Sequence, residues 1–168
     1  MCNIYLNLDN IFKYLFSRIL STMDDKDIEI LKHLTVDGRQ SARQLSHRLG
    51  VSTVTILSRI KKLEEQNIIQ GYSVRLNHEL LGYEITAIIE IKSNKGKMLE
   101  IENEIAKYES TIAVYDITGD ADMIIIAKFK NRELLSDFVK KISAISNVEN
   151  TLTHLVLNTI KEDNRLIE

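Results

Sequence analysis

At 168 residues, 44% of them hydrophobic, the chain has material for one domain or two small ones with a real core. Its formal net charge of −2 excludes a protein that coats nucleic acid indiscriminately. The single cysteine, Cys2, excludes an internal disulfide or a Cys-rich metal site and fits a reducing cytoplasm, and the absence of proline excludes a Pro-rich linker.

Residues 1–22 read as an extension. Ile4, Leu8, Ile11, Phe12, Leu15 and Ile19 share a helical stripe, with Asn7, Asp9, Lys13 and Arg18 elsewhere. The segment lacks the basic start and continuous apolar run of a signal peptide, and charges break it too often for a spanning helix. Three readings stay open: an extra packing helix, an interfacial membrane helix, or a start codon assigned upstream of Met23. No stable membrane association is expected.

A cleaner helix begins at Asp24. Asp24, Asp25 and Asp27 crowd its first turn, where the helix dipole favours anions, and Ile28, Leu31 and Leu34 form its apolar stripe up to Asp37-Gly38. Ser41 with Gln44 then makes a capping box for a short helix carrying Leu45 and Leu49, and Gly50 ends it. Ser52 caps the next helix, in which Ile56, Ile60 and Leu63 pack inward while Thr53, Thr55, Ser58, Arg59, Lys61 and Lys62 are read as outward. From Arg39 to Leu63 there are six Lys or Arg, including Arg43 and Arg48, and no Asp or Glu. A short helix, a glycine turn and a polar, basic second helix form a helix-turn-helix suited to the DNA major groove. Asn67 is placed as a left-handed cap, residues 68–72 as a short strand or wing, and residues 73–76 as an extended connector.

Past Asn77 the hydrophobic period falls to two. Glu84–Lys92 puts Ile85, Ala87, Ile89 and Ile91 on one strand face, and Lys97–Tyr108 returns to helix with Met98, Ile101, Ile105 and Tyr108 inward. Ile112–Thr118 and Met123–Phe129 form a hairpin around Gly119-Asp120-Ala121-Asp122. Asn131 caps a helix with Leu134, Leu135, Phe138, Val139 and Ile142 on its stripe, and Val148–Lys161 is read as a long final strand. The order β-α-β-β-α-β is the ferredoxin-like split βαβ arrangement. The fold class is therefore α+β: a three-helix, winged helix-turn-helix domain (residues 23–72), a connector (73–82) and a ferredoxin-like domain (83–168). Charge divides likewise, with nine cations against seven anions over 24–76 and eleven against sixteen over 77–168. Ile88, Ile124 and Ile126 make the second sheet face apolar too, so it is expected to meet another subunit, most simply in a symmetric dimer.

The chain resembles the Lrp/AsnC family of feast/famine transcriptional regulators. The resemblance runs from about Met23 to Asp163, on MDDKDIEILKHLTVDGRQS, QLSHRLGVSTVTILSRIKKLEEQNIIQGYSVRLN and TGDAD. It implies a regulator binding double-stranded operator DNA, a homodimer that assembles further to a tetramer or an octamer of dimers, and an amino-acid effector bound between C-terminal domains. On the family's pattern the recognition helix is Ser52–Leu63, and Arg59 is the expected DNA contact. Arg39, Ser41, Arg43, Ser52, Thr53, Thr55, Ser58, Lys61 and Lys62 complete the DNA-binding set. Ser58 stands where the family is often basic, Leu57 where it is small or polar, and Asn67 where glycine is usual. Gly119, Asp120 and Asp122 match the effector turn, with Thr151 and Thr153 expected to line the same cleft. Ala121 departs from a larger, often aromatic residue.

No cofactor, metal ligand set or catalytic residue is expected. His33, His47, His78 and His154 have no pair spacing, and neither a phosphate loop nor a nucleophile elbow occurs. The rival to a DNA-binding regulator is an oligomeric sensor that binds no DNA, and salt dependence of binding separates the two.

Overall fold

The computed structural model describes residues 23–94, 98–163, 165 and 167. The readings of residues 1–22, and of Lys97 as a helix start, lie outside them. The chain divides into two compact units, one containing the helix-turn-helix up to Arg75 together with Asp163 onward, the other spanning Leu76–Glu162.

Three helices build the first unit: α1 (Asp25–Val36), α2 (Ala42–Leu49) and α3 (Thr53–Glu65). Their caps follow from local chemistry. The Asp24 carboxylate accepts the Asp27 amide, and the Asp27 carboxylate accepts the Asp24 amide in return. Ser41 and Gln44 form the expected box, and Gly50 takes φ 65° at the end of α2. Ser52 accepts the Thr55 amide at the start of α3. Asn67, at φ 57°, closes α3 in a Schellman motif, with the Ile68 amide donating to Leu63 and the Asn67 amide to Glu64. Ile30, Leu45, Ile56 and Leu63 make the buried centre, with Ile60, Ile68 and Ile69 packed against it.

The expected wing at 68–72 does not form. The Ile68 and Ile69 amides both donate to the Leu63 carbonyl and their side chains pack back onto the helical core, so the segment finishes the helix instead of pairing as a strand.

The second unit holds β1 (Ile85–Ser93), α4 (Met98–Ile105), β2 (Thr111–Asp116), β3 (Met123–Phe129), α5 (Arg132–Ser143) and β4 (Val148–Leu155). The strand order β2-β3-β1-β4, with every neighbouring pair antiparallel, is the ferredoxin-like sheet. Ala87, Ile89 and Ile91 from β1, and Met123, Ile125, Ala127 and Phe129 from β3, face Ile101 and Ile105 of α4 and Phe138 and Ile142 of α5.

Other boundaries shift for identifiable reasons. The final strand stops at Leu155 instead of Lys161, because Ala87 opposite Leu155 is the last paired rung and the Val156 amide makes the closing bond to Thr86. Helix α4 ends at Ile105, where the Lys107 and Tyr108 amides turn to carbonyls three residues back. Leu134, placed on the inner stripe of α5, is half exposed. The first hairpin strand ends at Asp116, two residues short of Thr118.

The face of the sheet away from the helices carries Ile88, Ile124 and Ile126, with Tyr115 and Leu152 half exposed. At one end of that face Lys128 is buried, its amine 2.8 Å from Glu162 and 3.5 Å from His78 Nδ1.

Candidate nucleic-acid interface and effector region

Helix α3 buries Ile56 and Leu63 and half-buries Ile60. At about 100° per residue, Val54, Ser58 and Lys61 lie opposite that stripe, and Leu57 lies at its flank, roughly a right angle away. All four are exposed, as is Lys62 one position on. Arg39, Arg43 and Arg48 are exposed in the same unit. Lys61 reaches Glu65 only at 3.6 Å across solvent, a pairing too weak to withhold it from an anion.

Arg59 is placed differently from the outward reading. Its Nη1 lies 2.7 Å from both Asp24 Oδ1 and Asp27 Oδ1. The Asp27 side chain is 2% exposed and that of Arg59 27%. The guanidinium therefore clamps α3 to the start of α1. Its hydrogen bond to Asp24, then the one to Asp27, raises its pKa further. The same bond from Arg59, followed by the Asp27 amide, holds the Asp24 carboxyl below its ordinary value.

The remaining DNA-binding candidates sort by what their side chains already hold. Ser41 and Ser52 cap helices. The Thr53 hydroxyl donates to Ser46 Oγ at 3.2 Å and ties α3 to α2, while the Thr55 hydroxyl sits 2.8 Å from Ser52 Oγ.

The five effector candidates do not converge within one protomer. Gly119, at φ 137°, and Asp120 are exposed at the hairpin tip. Asp122 is turned inward: its Oδ2 accepts the Ser93 amide at 2.8 Å and approaches the Ser93 hydroxyl at 3.4 Å, and its own amide donates to Ile91. The carboxylate thus fastens the hairpin to the end of β1. Thr151 and Thr153 pair with Ile91 and Ile89, which places them on the helix-covered face, and the Thr151 hydroxyl meets Ser143 Oγ at 3.1 Å. Thr151 stands two strand spacings, about 9–10 Å, from the hairpin strand β3.

A cleft of about 480 Å³ in this unit opens at the far end of β3 from the hairpin turn, lined in part by Tyr83, Tyr108, Phe129, Phe138, Lys107 and Lys130. No sequence signal marked it, because its walls come from segments distant in the chain. Among the described residues no cluster of His, Cys, Asp and Glu could hold a metal ion, and no helix is long and apolar enough to cross a membrane.

A helix-turn-helix followed by a ferredoxin-like sheet defines a class, the two-module transcriptional regulators. Residues 23–64 match the AsnC-type helix-turn-helix domain and residues 86–166 the Lrp/AsnC ligand binding domain; the chain belongs to the Lrp/AsnC family. It is 49% identical over 144 residues to an uncharacterized HTH-type transcriptional regulator of Pyrococcus furiosus, covering 86% of this chain and 97% of that one. It is 40% identical over 145 residues to the HTH-type transcriptional regulator FL11 of Pyrococcus abyssi, covering 86% and 96%. Among solved structures, a Neisseria meningitidis transcriptional regulator in complex with L-Met superposes with a TM-score of 0.79 at 28% identity, covering 86% of this chain and 96% of that one. These are names of transcriptional regulators, not of enzymes.

Proposed function

We propose that the protein is a sequence-specific regulator that binds double-stranded operator DNA as a homodimer and changes its assembly or DNA affinity when an amino acid binds. The observation that carries the DNA half is the outward side of α3: Ser58, Lys61 and Lys62 exposed, within a stretch from Arg39 to Leu63 that contains no acidic residue. Phosphates are the natural partners of such a surface, and a helix of this width enters the major groove.

The dimer half rests on the open sheet face. Ile88, Ile124, Ile126, Tyr115 and Leu152 keep apolar area in water at a cost of roughly 25 cal/mol per Å². A two-fold partner removes that cost and delivers two recognition helices to half-sites about one helical turn apart.

The effector half rests on the family's ligand binding domain and on the L-Met complex of the Neisseria relative. Gly119 and Asp120 are exposed at the hairpin tip, and a second subunit meeting them there would complete the pocket. The effector shifts DNA affinity only as far as it prefers one assembly over another.

The test is fluorescence anisotropy of the protein's own upstream duplex, with a salt titration and with or without pooled amino acids. Six phosphate contacts predict a slope of about −5 in log affinity against log salt. A flat salt response would remove the DNA-binding reading, and a steep one indifferent to every amino acid would remove the effector.

A further inference from the structure

Two side chains on α3 have no explanation in the fold. Val54 is 77% exposed and Leu57 56%; Val54 lies opposite the buried stripe of Ile56 and Leu63, and Leu57 lies about 60° round from Val54 on the exposed side. Isolated exposed apolar residues are ordinary on protein surfaces. These two are not isolated. They sit three residues apart, about 4.5 Å along the axis and about 60° around it, so they are neighbours on the exposed side of the helix. Exposed Ser58 and Lys61 adjoin them on the same face, and no carboxylate occurs in sequence from Arg39 through Leu63. A small apolar patch set in a cationic surface matches one feature of the major groove. The thymine 5-methyl group is its principal apolar feature, and apolar side chains recognise it by contact.

We infer that Val54 and Leu57 are specificity-determining residues that take thymine methyl groups, so that each operator half-site carries thymine where the first two turns of α3 meet the groove. This rests on the DNA-binding reading above and adds the base class to it. Lys61 and Ser58 supply the polar contacts on either side, while Arg59, clamped to Asp24 and Asp27, holds the helix at its angle.

The experiment uses the full chain. Sites are first selected from a random duplex library, and each thymine of the selected half-site is then replaced singly by deoxyuridine, which removes the methyl and leaves the pairing edge intact. One buried methyl predicts a three- to fivefold loss of affinity, so one or two positions per half-site should lose about that much. Leu57→Ala and Val54→Ala, which remove exposed side chains and should fold normally by circular dichroism, should each become indifferent to deoxyuridine at the matching position. Specific binding that no deoxyuridine weakens overturns the inference and leaves the DNA-binding reading standing. So does a pair of variants that keep the parent's thymine dependence, or that change only the sedimentation of the protein. Failure to enrich any site overturns the DNA-binding reading itself, and the inference with it.

Discussion

Replacing Arg59 should act on folding before it acts on DNA. Arg59→Met keeps the aliphatic stem and removes the charge that neutralises Asp24 and the nearly inaccessible Asp27. Breaking a buried ion pair from one side costs about 3–5 kcal/mol, because the remaining charge is stranded. Arg59 itself retains 27% exposure, which places the expected loss at the lower end, about 3 kcal/mol. For a unit of this size each kcal/mol moves the midpoint by roughly 4–8 °C, so the helix-turn-helix should melt more than about 12 °C early. Circular dichroism with amide exchange of α1 and α3 reads that loss. The double variant with Asp27→Asn should recover part of it, giving a coupling of about 2 kcal/mol. A variant whose melting stays within about 0.5 kcal/mol of the parent, yet which no longer binds operator, would refute the clamp and return Arg59 to the DNA surface.

Asp122→Ala leaves the buried Ser93 amide without its acceptor and should cost about 1–3 kcal/mol, read by urea denaturation and by faster exchange at Ser93. Unchanged stability with a lost amino-acid response would instead make this carboxylate a ligand contact. At the left-handed end of α3, Asn67→Gly should be neutral or slightly stabilising and Asn67→Ala destabilising by about 1 kcal/mol, measured by thermal melting. The pH dependence follows from Asp24, whose folded-state pKa lies below its ordinary value. Its contribution is complete above that ordinary value and drains away as pH falls through the lowered one, so acid should unfold the helix-turn-helix as Asp24 protonates. Asp24→Asn should flatten that acid limb, and an unaltered limb would assign the acid sensitivity to other groups.

What was legible in the sequence was what short-range periodicity and caps determine. The stripe of α3, the capping of Ser41, Ser52, Asn131 and Asn67, and the alternation in β1 and β3 all arise within a few residues, whereas α1 turns Ile30 into the core and not Ile28, which the expected stripe includes. The surroundings of the candidate site residues depend on contacts across the chain, which short-range patterns do not carry. Arg59 falls only about 40° from Leu63 around the helix, so the same periodicity that located the core could have drawn it toward α1. Its partners lie 35 and 32 residues away, which no local pattern reveals. Asp122 reaches Ser93 across 29 residues. The facing of Thr151 and Thr153 required the β1–β4 register, which shifts at Lys92/Ser93. Leu57 already stands out in sequence as a departure from a small or polar position, whereas nothing local marks Val54.

The two units have separate interiors of unequal depth. Among the described residues, four buried apolar side chains centre the helix-turn-helix, against eleven under the sheet. A protein built this way should open in stages, with the DNA-reading helices sampling unfolded forms while the sheet stays closed. Operator DNA, by binding only the folded helices, then acts as their folding ligand. Adding operator duplex should therefore slow proteolytic cleavage of α1–α3 while leaving cleavage within the sheet unchanged.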